Sequence, residues 1–249
     1  MRSFVFVVGV VVGVLCGPSL HAETAMPPLG GEWLEELSDE KGKAGFAAIP
    51  LGSTGKRPLV VALHAAMDHP GMACAEWRGM FGPEAFIVCP YGEKVNAKAY
   101  AWGDPKRLRA SIERVLAAAE ARYPQRIDRS GAVWASYSQS GMLSAHALAL
   151  PGMGFRYAAL FEGVPRDLAP LRAAFQHAGI RRALFASQQR GWTWKHRAAA
   201  EALAPAIEAK HILVGDGTWG HFIRGETIER MRQALPWLTA GDPVWAAGP

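Results

Sequence analysis

Gly131-Ala132-Val133-Trp134-Ala135-Ser136-Tyr137-Ser138-Gln139-Ser140-Gly141 decides how the rest of the chain is read. The apolar run over 131–135 has the length and content of a buried strand. The Ala- and Leu-rich stretch after it, up to Pro151-Gly152, has the content of a helix. A strand that turns sharply into a helix lifts the residue at its apex above the sheet edge, at a helix N-terminus. The turn closes only if the residues two before and two after the apex are small. Glycine usually fills both places; here Ser136 and Ser140 meet the need by size. The stretch therefore predicts strand, tight turn and helix, with the Ser138 hydroxyl presented at the turn.

The pattern repeats outward from this point. Short apolar runs at 58–63, 86–89, 157–161, 182–186 and 211–214 predict further strands, and 45–50 a short first one. Helical patterns lie between them at 105–123, 169–177, 195–210 and 227–238. In the first of these Leu108, Ile112, Val115, Leu116 and Ala119 share one face, and Pro124 ends it. Strands that alternate with helices predict an α/β, doubly wound, mostly parallel sheet flanked by helices. A chain of 249 residues that is 50% hydrophobic suits one such domain with a full core. Its expected bounds are 45–240, after a lead-in at 23–44 that holds Met26-Pro27-Pro28-Leu29-Gly30-Gly31. A tail at 241–249 follows, where Val244 and Trp245 are the residues able to dock.

The first 22 residues read as a signal peptide. Arg2 supplies the charge, residues 4–15 are apolar or glycine, and Ala22 is a small residue for cleavage. The run is shorter than the roughly 20 apolar residues a spanning helix needs, so no stable membrane span is expected. The expected location is secreted or periplasmic. Cys16 opens a lipoprotein alternative that the bulky Leu15 disfavours. Cys74 and Cys89 are left in the mature chain. They form a disulfide in an oxidising compartment, or Cys89 is a plain core residue of its apolar run. A net charge of +5 without a Lys/Arg cluster does not mark a nucleic-acid binder. Gly52-Ser53-Thr54-Gly55-Lys56 fails as a phosphate loop, with Pro50 and Arg57 at the flanking positions. Neither HExxH nor paired CxxC occurs, so no metal site is expected.

Together the order of elements and these motifs resemble the α/β-hydrolase superfamily over residues 57–238. Within it they are similar to compact serine esterases, dienelactone-hydrolase-like and polyhydroxybutyrate-depolymerase-like, that have no large cap domain. The resemblance implies Ser138 as nucleophile. It implies His221, in Asp216-Gly217-Thr218-Trp219-Gly220-His221-Phe222, as the base, because the histidine stands after the last strand and before the last helix. An imidazole there accepts the serine proton and returns it to the leaving group. His146, His177, His196 and His211 fall inside helical or strand runs and read as structural or solvent-facing. Leu63-His64-Ala65-Ala66-Met67 stands where the resembling enzymes end an early strand in His-Gly, with Ala65 in the glycine's place. The implied oxyanion donors are the N–H of Gln139 and that of Ala66 or Met67.

The third member of such a site, an acid, is missing from its usual place. After the strand at 182–186 the chain reads Ser187-Gln188-Gln189-Arg190-Gly191. Glu162, one strand earlier, is the favoured candidate, with Asp167 just beyond it and Asp216 on the histidine loop. An amide such as Gln188 orienting the imidazole, or no efficient catalysis at all, are the remaining readings, and Glu162 has a structural alternative as an ion-pair partner of Arg190. Of the aromatics Tyr100, Trp102, Tyr137, Trp192, Trp194 and Trp219, those beside the candidates, Tyr137 and Trp219, are expected to bind substrate. The resulting expectation is an exported serine hydrolase of carboxylic esters that needs no cofactor and acts on a small or polymeric ester. The alternatives are a hydrolase-fold binding protein without its acid, or a serine peptidase.

Overall fold

A computed structural model describes residues 26–218 and 220–246. The signal-peptide reading, Cys16 and Trp219 lie outside the described residues. The chain begins with an antiparallel pair, β1 (Leu34–Asp39) and β2 (Gly42–Ala48). β3 (Arg57–Leu63) follows, α1 (Pro70–Phe81) crosses one face, and β4 (Phe86–Pro90) inserts between β2 and β3. Two short strands, β5 (Glu93–Lys94) and β6 (Tyr100–Ala101), form a separate ribbon. α2 (Pro105–Arg122) leads to β7 (Ile127–Tyr137) on the far side of β3. The winding then continues one way through α3 (Gln139–Leu148), β8 (Tyr157–Phe161), α4 (Leu168–Ala178), β9 (Arg182–Gln189), α5 (Arg190–Leu203) and β10 (Glu208–Gly217). α6 (Gly225–Thr239) and the short α7 (Pro243–Ala246) close the described chain.

The eight-stranded sheet runs β1-β2-β4-β3-β7-β8-β9-β10, parallel from β4 to β10. Its central strands are apolar on both faces, as a covered parallel sheet requires. Leu59, Val61, Trp134, Leu160 and Phe185 face α2 to α5. Val60, Ala62, Val133, Phe161 and Leu184 face α1 and α6. Each large side chain fully removed from water contributes roughly 1.5–3 kcal/mol. Because α1 and α2 leave β3 and β4 on opposite faces, the chain reverses its winding between β3 and β7. The carboxyl ends of these two strands therefore open a crevice, the place where parallel sheets take ligands. Residues 64–68 emerge from β3 and Ser138 from β7, on its two sides.

Several segments differ from the sequence reading. The lead-in at 23–44 contains β1, an edge strand whose alternation is too polar to stand out, and β2 begins at Gly42. α1 was not anticipated. Its twelve residues carry Gly71 and Gly79 and only modest apolar periodicity, but His69 caps it, the imidazole accepting the Gly71 N–H. The helix expected at 195–210 is Arg190–Leu203, since Pro205 removes a backbone donor, and residues 208–210 pair with Arg182–Leu184 as the start of β10. The tail docks through Trp245, whose indole N–H donates to the Gly131 carbonyl at 2.9 Å. Cys74 of α1 and Cys89 of β4 are joined, with Cα atoms 5.8 Å apart and both side chains fully buried. The bridge spans a sequence separation of 15, and such a loop is worth about 3 kcal/mol in chain entropy. Cys74→Ala with Cys89→Ala should lower the unfolding free energy in urea by about that amount; an unchanged midpoint would refute the contribution.

Candidate active site

Ser138 sits between β7 and α3 with φ 57° and ψ −115°, a conformation L-residues rarely adopt. Four non-glycine described residues have positive φ. Three of them, Met67, Ser138 and Glu162, stand just beyond β3, β7 and β8. Strain of this kind, about 1–3 kcal/mol per residue, persists only where surrounding structure enforces it. The enforcement is visible. A Cβ on Gly163 would lie 2.0 Å from the Ser138 carbonyl oxygen, and one on Gly141 would lie 2.3 Å from the Gly163 carbonyl oxygen. The glycines that the elbow needs are therefore Gly141 and Gly163. Ser140 instead uses its hydroxyl, accepting the Tyr137 N–H at 3.0 Å and lying 2.9 Å from the Tyr137 carbonyl. Ser136 is fully buried.

His221 reaches the serine from the loop after β10: Nε2 lies 2.7 Å from Ser138 Oγ. Its Nδ1 lies 3.2 Å from Oε2 of Glu162. A carboxylate only accepts, so Nδ1 carries the proton and Nε2 is left to accept from the serine hydroxyl. Of the three acid candidates, Glu162 is the one brought to the imidazole. Asp167 caps α4, accepting the Ala169 N–H, and Asp216 accepts the N–H and hydroxyl of Thr218. The Glu162 side chain is fully buried, and its Oε1 accepts the backbone N–H groups of Gln188 and Gln189 at 2.7 and 3.1 Å. Arg190 is exposed at the start of α5, and no ion pair with Glu162 forms.

The two glutamines work on the loop and the acid, where the sequence reading had Gln188 orienting the ring. Gln188 is fully buried; its Nε2 donates to the carbonyls of Gly220 at 2.5 Å and Phe222 at 2.8 Å, and its Oε1 accepts the Thr227 hydroxyl. The Gln189 amide, in the orientation that satisfies its neighbours, donates to Glu162 Oε2 and accepts the His221 N–H, both at 3.0 Å. Tyr137 also turns out differently from the expected substrate contact. It is 5% exposed and its hydroxyl donates to the His221 carbonyl at 2.7 Å, so it braces the loop from beneath. Burial, then the charges of Glu76, Glu162 and Asp68, push its phenol up and keep it a donor.

Across the crevice, the turn after β3 is tied down at every residue but one. His64, fully buried, has Nδ1 2.7 Å from the Ala65 carbonyl and a ring stacked on Trp102 at 4.3 Å; burial pushes its imidazole down to about 4, so it is neutral. The Asp68 carboxylate accepts the His69 N–H at 2.7 Å and a backbone bond from Ala65. Met67 donates its N–H to the Tyr100 carbonyl at 2.8 Å, which removes it as an oxyanion donor. Ala66 is exposed, and its N–H has no hydrogen-bond partner among the described residues. The positive φ falls on Met67, so alanine at position 65 carries no backbone cost. Opposite, the Gln139 N–H belongs to the first turn of α3, where backbone donors lack helical partners. The Gln139 side chain accepts the Trp102 N–H at 2.9 Å, which couples the two sides. Nearby, Glu76 is pushed up to about 8, by burial first and then by the charge of Asp68.

Met67, on the turn after β3, and Phe222, next to His221, are each more than half exposed. Met142, Val164, Leu168 and Trp192 line a cavity of about 410 Å³ between α3, α5 and the chain that leads from β8 to α4. Trp102 is 3% exposed and belongs to the support of the turn.

No family model and no curated protein sequence matches the chain. Solved structures do match. An esterase named PE8 is 19% identical, with a TM-score of 0.60, over 82% of this chain and 100% of that one. A carboxylesterase from Mesorhizobium loti is 19% identical, with a TM-score of 0.58, over 82% and 99%. An uncharacterized protein from Bacillus cereus ATCC 10987 gives 9% identity and a TM-score of 0.59; the chain covers 59% of its length. At these identities the likeness is one of fold. The fold is that of the α/β-hydrolases. In α/β-hydrolase terms Ser138 stands at the elbow, His221 follows the last strand, and Glu162 occupies the place one strand before the usual acid.

The close contact at the elbow yields a test. Gly163→Ala should cost at least about 3 kcal/mol in urea unfolding, the upper end of overpacking. Gly191→Ala, whose Cβ meets nothing within 4 Å, should be neutral or stabilising, since it adds helix propensity. Equal stability of the two variants would contradict the packing described.

Proposed function

We propose that the chain is an exported serine hydrolase that cleaves carboxylic esters through an acyl-enzyme. The observation that carries this reading is the continuous relay Ser138 Oγ, His221 Nε2, His221 Nδ1, Glu162 Oε2, with links of 2.7 and 3.2 Å, both within the reach such pairs need.

The steps follow from the geometry. Ser138 Oγ attacks the ester carbonyl carbon while its proton passes to His221 Nε2. The imidazolium is stabilised by Glu162, which keeps its own position through the N–H groups of Gln188 and Gln189. The oxyanion sits between the N–H groups of Gln139 and Ala66; one such donor is typically worth about 10²–10³ in rate. Collapse of the tetrahedral adduct breaks the C–O bond to the alcohol, which takes the proton from His221. Water then enters, loses a proton to Nε2 and attacks the acyl carbon; the C–O bond to Ser138 breaks, Nε2 returns the proton to Oγ and the carboxylic acid leaves. The exposed apolar side chains of Met67 and Phe222, beside the turn after β3 and His221, favour esters with apolar groups. The buried Cys74–Cys89 bridge supports export, because disulfides persist in oxidising compartments.

A fluorophosphonate probe should label the purified protein, and Ser138→Ala should abolish the label. On an activated ester, Glu162→Gln should lower kcat by about 10³–10⁴, the scale of acid-to-amide changes in triads. Asp167→Asn and Asp216→Asn should stay near wild type. An unlabelled, folded wild type would overturn the hydrolase reading, and a Glu162→Gln loss below tenfold would overturn the assignment of the acid.

A further inference from the structure

We infer that the cavity beside Ser138 takes an acyl chain that ends in a carboxylate, so that the preferred esters are half-esters of dicarboxylic acids. This rests on the hydrolase reading above and adds the substrate class. The position comes first. Met142 lies four residues after Ser138 and donates its N–H to the Ser138 carbonyl at 3.2 Å, so it stands on the serine's side of α3. Val164 follows Gly163, which packs against the Ser138 carbonyl. The cavity therefore adjoins the elbow through Met142 and Val164, with Ser138 and His221 outside its lining.

The chemistry comes next. The walls at Met142, Val164, Leu168 and Trp192 are apolar, and about 410 Å³ is at the small end of ligand pockets. The remaining features are cationic: Arg166 and Lys195 line the same cavity, and no acidic side chain does. Neither cation has a carboxylate partner among the described residues, whereas Arg114, for example, pairs with Asp39 at 2.7 Å. Lys195 is held over the Trp192 ring at 4.4 Å, which fixes its ammonium at the cavity wall. The neighbouring Asp167 is occupied in capping α4. An exposed guanidinium and a half-buried ammonium at the edge of an apolar chamber fit a ligand with a carbon chain and a terminal anion.

The test compares the mono-p-nitrophenyl ester of glutaric acid with p-nitrophenyl butyrate. Wild type should favour the anionic ester in kcat/KM, and rising salt should erode that preference. Arg166→Gln with Lys195→Gln should lower the ratio of anionic to neutral kcat/KM at least about tenfold, the scale of charge-assisted hydrogen bonds. Lys195→Arg should retain the preference. A ratio that is unchanged in the double glutamine variant overturns the inference and leaves the hydrolase reading standing. A second arm is independent of turnover. Calorimetric titration of Ser138→Ala with monomethyl adipate should show binding that methyl hexanoate lacks and that the two glutamine substitutions remove. Binding in this arm without turnover by wild type would sustain the cavity and refute the hydrolase. Equal affinity for the two esters would refute the cavity's selectivity.

Discussion

A carboxylate with no access to water must be compensated where it lies. Glu162 is fully buried beneath the site, and the compensation comes from two consecutive backbone N–H groups, those of Gln188 and Gln189, and from the His221 ring. The Gln189 side-chain amide adds a fourth donor, and each hydrogen bond to such a buried charge is worth about 1.5–3 kcal/mol. The surrounding architecture follows from this constraint. Glu162 adopts φ 51° to turn its side chain toward β9, Gly163 must then pass against the Ser138 carbonyl, and Gly141 against Gly163. The acid, the elbow and the first turn of α3 are thus one packed unit, and a change at one is transmitted to the others through contacts with no slack.

The histidine loop is anchored to the same unit from several directions. Gln188 grips the carbonyls on either side of His221, Gln189 accepts its N–H and Tyr137 donates to its carbonyl. With both of its main-chain polar groups engaged, the residue presents its ring in a single orientation. The turn after β3 is held by His64, Asp68 and the β6 strand, and the bond from the Trp102 N–H to Gln139 links it to the elbow. Pre-organisation on both sides of the crevice means that little reorganisation remains for the reaction itself.

Much of this was legible in the sequence, for identifiable reasons. The central strands are apolar on both faces, so runs such as 157–161 announced β8 to the residue. Ser138 and His221 were legible because each sits at a junction of such a run with a helical pattern. Glu162 as the carboxylate beside His221 was legible only as one of several candidates, because the distance between β8 and the loop after β10 is a tertiary fact. Glu162-Gly163 did carry a signal, a glycine beside an acid at the end of a buried strand, whose meaning depended on Gly163 meeting Ser138. Gln188 was legible as an amide near the imidazole but not as a clamp on the loop carbonyls, Gln189 gave no local signal, and Tyr137 read as a pocket residue because sequence position shows proximity and not which way a hydroxyl points. β1 and α1 were missed because their apolar periodicity is weak and tertiary pairing stabilises them.

The central claim is that Glu162 holds the Nδ1 proton of His221 and thereby turns Nε2 to Ser138. Proton NMR of the ring N–H groups tests it without reference to any substrate. The account predicts a slowly exchanging Nδ1–H resonance of His221, shifted far downfield by its carboxylate partner, present in wild type and in Ser138→Ala and absent in Glu162→Gln. A resonance that persists in Glu162→Gln, or that is missing from folded wild type, would contradict it.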